Sequence, residues 1–128
     1  MREGDRILVK ITFLGGINEI GGNCFLVEDR ETRLLLDFGK RYSIYGRFFE
    51  EYLKPRSASG IVDLLTLGLI PNRLEFYRPD LLAMIGKAAP PQRFLDGILL
   101  SHIHYDHSAN ISKERTGAKF EEAYTVVR

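Results

Sequence analysis

All three histidines of the 128-residue chain, His102, His104 and His107, fall within six consecutive positions, directly after the apolar run Ile98-Leu99-Leu100. So dense a cluster needs a rigid element to deliver it. The sequence supplies one: Phe94 to Leu100 reads as a buried strand, with Pro90-Pro91 breaking the chain ahead of it. Strand ends that carry ligand loops are where α/β proteins place their chemistry.

Imidazole suits borderline cations such as zinc, and a carboxylate beside it can ligate the ion or orient its water. In an extended loop, His102, His104 and Asp106 project to one side because side chains alternate. His107 follows Asp106 directly and points elsewhere unless the chain turns there. The pattern serves two neighbouring ions, His102 and His104 on one, Asp106 and His107 on the other. Two ions about 3.5–4 Å apart acidify a shared water and stabilise charge developing on a substrate oxygen. Asp106 is also the right kind of group to accept a proton. The plainer alternatives are a solvated turn or a structural metal site; structural zinc sites usually recruit cysteines, and this cluster has none.

Upstream, Ile7, Val9, Ile11 and Phe13 alternate with Leu8, Lys10 and Thr12, which predicts a strand with those four on its buried face. Gly15-Gly16 and Gly21-Gly22 bracket a turn whose backbone must bend sharply or approach something closely. Asn23 to Glu28 and Leu34 to Leu36 predict two further strands, the third ending at Asp37-Phe38-Gly39, so the domain opens as an antiparallel meander. The stretch 41–92 changes character. Phe48, Phe49, Tyr52 and Leu53 fall at helical spacing ahead of Lys54-Pro55, Ile61 to Leu69 suggests a short helix, and Pro79 opens another with Gly86 as its C-cap.

Composition narrows the setting. Lys and Arg number 18 against 17 Asp and Glu, a balance that gives no bulk electrostatic footprint for nucleic acid or an anionic membrane. Cys24 is the single cysteine, so no intramolecular disulfide forms. The charged start, Met1 to Arg6, lacks a secretory signal's apolar core, and no apolar run is long enough to cross a bilayer. A single soluble, cytoplasmic α/β domain is expected.

His102-Ile103-His104-Tyr105-Asp106-His107 resembles the H-x-H-x-D-H signature of the metallo-β-lactamase superfamily. The resemblance implies the N-terminal half of an αββα sandwich over residues 1–112, with 41–92 a helical insertion and 113–128 an atypical tail. It implies two zinc ions held by His102, His104, Asp106 and His107, with Asp37 at its strand end as a supporting group. Gly15 to Asn23 resembles the opening loop of the β-CASP nucleases, the ribonuclease J type among them, which hydrolyse RNA or DNA phosphodiesters. On that reading RNA or DNA is the substrate. Tyr42, Tyr45, Phe48, Phe49, Phe76 and Tyr77, with Arg41, Arg47, Arg56, Arg73 and Arg78, make the insertion a specificity element or lid, although core packing is the stronger reading for Phe48, Phe49 and Phe76.

The family's later ligands do not follow: no histidine comes after His107 and no aspartate after Asp106. A truncated or frame-shifted reading of a longer gene, or a fragment completed by another chain, is therefore expected, inactive alone and prone to self-association through its uncovered sheet. Two other functions fit the residues: a small-molecule hydrolase of thioesters, lactones or lactams, and a non-catalytic fragment or interaction module.

Overall fold

The computed structural model describes residues 8–49 and 53–115. Alternating and apolar runs become four strands, β1 (Lys10–Gly15), β2 (Cys24–Asp29), β3 (Thr32–Leu36) and β4 (Gly97–Leu99). They form one sheet in the order β1-β2-β3-β4. The first three make the expected meander, antiparallel throughout, while β4 lies parallel to β3. A parallel neighbour requires a long crossover, and the chain between β3 and β4 supplies it with α1 (Tyr42–Phe48), α2 (Val62–Thr66) and α3 (Pro79–Met84). A short α4 (Tyr105–Ser108) follows β4. The result is an α/β fold on a four-stranded mixed sheet.

Register decides which residues share a face. Thr12, Leu26, Leu35 and Ile98 align across the strands, and the last three are buried with Cys24 against Ile61, Leu64, Phe76, Tyr77 and Leu82 from the crossover. The helices therefore cover this face, and the core lies between them and the sheet. Phe38 stacks on Tyr77 at 6.2 Å, carrying the core from the end of β3 into the crossover.

The other face corrects an expectation. Val9, Ile11 and Phe13 are exposed, at 51%, 54% and 59%; Ile7 lies outside the described residues. The period-two pattern is real, but Ile11 aligns with Val27 and Leu34, and Phe13 with Phe25 and Leu36, on the face away from the helices. There Phe13 and Phe25 meet edge to face at 5.5 Å.

The crossover helices differ in detail. The helix expected through Phe48 and Leu53 instead runs from Tyr42 and stops at Phe48, since Phe49 is extended and Leu53 is exposed. Phe48 is exposed too, so it is not core, whereas Phe76 and Tyr77 are fully buried. Tyr52 lies outside the described residues. Pro79 opens α3 as expected, and Gly86, at φ +71°, takes the left-handed position just beyond its C-cap. Of the atypical tail, Lys113 to Arg115 pair with Phe76 to Arg78 through Glu114–Tyr77 bridging and Arg115 N–H donation to the Phe76 carbonyl; 116–128 lie outside the described residues. Among the described residues no helix is long and apolar enough to cross a membrane.

Truncation separates the two faces. Leu35→Ala, in the fully buried row, should cost about 2–5 kcal/mol in urea unfolding, and Phe13→Ala, in the exposed row, about 1 kcal/mol or less. Equal losses would contradict this layering.

Candidate metal centre

Parallel pairing sets β3 and β4 side by side with the same direction, so their C-terminal ends emerge together. The Asp37 N–H donates to the Leu99 carbonyl at 2.9 Å, continuing the ladder one residue past β3. Asp37 itself turns to φ +57°, a conformation tolerated better by aspartate than by bulky residues. That turn aims its buried carboxylate at the loop leaving β4. Oδ1 accepts from the Ser101 N–H at 2.7 Å, and Oδ2 accepts from the Ser101 hydroxyl at 2.8 Å.

The same Oδ2 lies 2.7 Å from His107 Nδ1. A carboxylate there accepts, so Nδ1 carries a proton, and Nε2 is the nitrogen turned toward Asp106. Ser101, having donated its hydroxyl proton to Asp37, has only lone pairs left for His102 Nδ1 at 3.0 Å. His102 Nδ1 then donates, and its Nε2 is left as a ligand atom. One buried carboxylate thus orients two imidazoles, His107 directly and His102 through Ser101.

The chain turns at Tyr105 instead of staying extended. His104 is the N-cap of α4, and Asp106 lies on its first turn. Ligand atoms of His102, His104 and Asp106 nevertheless lie within 4.8 Å of one another. His107 is brought in as well: its ring is 4.0 Å from that of His102, and its Nε2 is 3.2 Å from Asp106 Oδ2. The four residues form one cluster, with Asp106 between the imidazoles.

Backbone contacts lock the cluster to the sheet. The Phe38 N–H donates to the His107 carbonyl and Lys40 N–H to that of Tyr105. Asn110 donates its side-chain N–H to the Gly39 carbonyl. A methyl group on Gly39 would come 1.6 Å from the Asp106 carbonyl oxygen, so the backbones pass at a distance only glycine allows. Gly21, at φ +81°, closes in from the other side; a Cβ there would meet the Lys40 carbonyl at 2.6 Å and Asp106 Cβ at 3.2 Å. The glycine turn therefore makes the close approach its composition suggests. Ser101 adjoins the histidines and Asn23 closes the glycine motif, but neither is a site candidate in the sequence, and Asn110 carries no local signal at all.

Two nearby groups are structural. Burial and the Asp37 charge push the Cys24 thiol up to about 12, so it stays protonated in the core. Glu19 braces the glycine turn, accepting from the Gly16 N–H at 2.9 Å and from Arg41 Nε at 3.0 Å. Burial pushes its carboxyl up, but the bonds from Gly16, Arg41 and Ser43 outweigh that and hold it below its ordinary 4.5.

No protein-family model and no curated protein matches the chain. Among solved structures, it is similar to a protein of unknown function from Enterococcus faecalis V583, with a TM-score of 0.61 and 25% identity over 93% of this chain. The chain spans 27% of the length of that protein.

The Glu19 carboxyl is depressed on folding, so its contribution is present above its unfolded value and lost as pH falls through the folded one. Glu19→Gln should lower stability by about 1–2 kcal/mol at pH 7. The gap should narrow as pH falls through the folded value, which lies below 4.5, where wild-type Glu19 itself takes up a proton. Unfolding curves from pH 3 to 7 check this; a gap independent of pH would contradict the charged role.

Proposed function

We propose that this chain is the metal-binding part of a metal-dependent hydrolase of the metallo-β-lactamase type, with phosphodiester cleavage in RNA or DNA as its favoured chemistry. The observation that carries it is the convergence of His102, His104 and Asp106 within 4.8 Å, with His107 alongside and anchored by Asp37. The donor set fits a zinc-type ion: imidazoles and a carboxylate within reach of one another, with no thiolate. A divalent ion bound there would polarise the substrate's phosphoryl oxygen and acidify a water.

The remaining work falls to the chain's own groups. Asp37 keeps the proton on His107 Nδ1 and holds that ring in place. Ser101 transmits the same constraint to His102. Asp106, close to three imidazoles and part-exposed, is placed to accept a proton from an attacking water. The nuclease branch is supported by Gly15 to Asn23, whose backbone packs beside Asp106 as a shaped rim. The apolar sheet face carrying Ile11, Phe13 and Phe25 is the face that a second layer would cover in the two-layered fold of this reading. The greater length of the Enterococcus faecalis protein is in keeping with that arrangement. Several arginines of the insertion are already engaged, Arg56 with Asp63, Arg78 with Asp80 and Arg41 with Glu19, so substrate contact falls to other groups.

Zinc titration of the metal-free chain by calorimetry should show saturable binding, weakened about tenfold or more in His104→Ala and Asp106→Ala. Both variants should also lose any cleavage of single-stranded RNA or DNA that the wild type shows. Thioester turnover with intact nucleic acid would redirect the proposal to a small-molecule substrate, and absence of zinc binding would overturn it.

A further inference from the structure

A cavity of about 420 Å³ opens among α1, the 54–60 segment, α2 and the turn after α4, and none of its lining residues belongs to the histidine cluster. Its charge is one-sided. Lys40, Arg41, Lys54, Arg56 and Lys113 line it, and no described lining residue is acidic. With a net charge of +1 over the whole chain, this is a local concentration, not a reflection of bulk composition.

Not all five cations are available. Arg41 is neutralised by Glu19 and Arg56 by Asp63. The three lysines have no carboxylate partner among the described residues. Lys40 Nζ sits 3.6 Å over the Tyr45 ring, and Lys113 Nζ reaches the Ala109 carbonyl at 3.5 Å. Burial alone pushes the Lys113 ammonium below its ordinary value, the sign of a charge removed from water without an opposite charge beside it. Leu64, Leu69 and Ile70, all buried in the core, supply an apolar wall. Ammonium groups around an apolar recess of this size suit a small ligand with a compact multiple negative charge and a hydrophobic body.

We propose that this pocket binds a small organic phosphate, its dianion held among Lys40, Lys54 and Lys113 and its apolar body against Leu64, Leu69 and Ile70. The site is separate from the metal centre and does not depend on the hydrolase reading. Phenyl phosphate is the probe, titrated into the chain in EDTA and followed by amide NMR, with phenol and inorganic phosphate alongside. Phenyl phosphate should bind saturably and more tightly than inorganic phosphate, and phenol should not bind. Shifts should centre on Ala109 and Asn110, not on His102 and His104. Lys54→Met, at an exposed position, should weaken binding about tenfold. Lys113→Met should do the same, while Lys113→Arg, which keeps the charge, should bind within about threefold of wild type. No saturable binding by the wild-type chain, equal binding by Lys54→Met, or shifts confined to the histidines would overturn the proposal.

Discussion

The parallel pairing of β3 with β4 is the constraint on which the rest of the site depends. Only because the two strands run the same way do Asp37 and Ser101 leave the sheet side by side. Asp37 is a buried carboxyl group, a costly placement unless its oxygens find partners. It accepts from the Ser101 N–H, the Ser101 hydroxyl and His107. The network offsets the cost of burial and fixes the ligand loop in the same contacts. An antiparallel β4 would have put the histidines at the far end of the sheet.

Much of this was legible in the sequence. The histidine cluster, Asp37 at the end of β3 and the glycine turn carry local signals and come together in the structure, while the delivery strand expected from Phe94 to Leu100 is only the three residues Gly97–Leu99. Two parts were not. Period-two alternation in β1 shows that one face is apolar, but it cannot show which face the helices choose; that choice depends on Leu26, Leu35 and Ile98, far away in sequence. Helical spacing around Phe48 and Leu53 was likewise ambiguous because aromatic residues there alternate between exposure and core. The turn at Tyr105 was hidden for another reason: α4 is only four residues long, too short to announce a period.

The cluster also shows how position and protonation are set together. His102 and His107 touch the same small network of Ser101 and Asp37, so orientation and tautomer of both rings follow from one carboxylate. Gly39 and Gly21 supply no chemistry, yet by letting the backbones of three segments meet around Asp106 they determine how closely its carboxylate approaches the imidazoles.

The tautomers of His102 and His107 test this account most directly. Long-range proton–nitrogen NMR on the metal-free chain near pH 8 should show both rings protonated at Nδ1, and added zinc should shift their Nε2 resonances as those atoms become ligands. Protonation at Nε2 in either ring, or Nε2 resonances indifferent to zinc, would contradict the claim that Asp37 and Ser101 prepare these histidines to hold a metal.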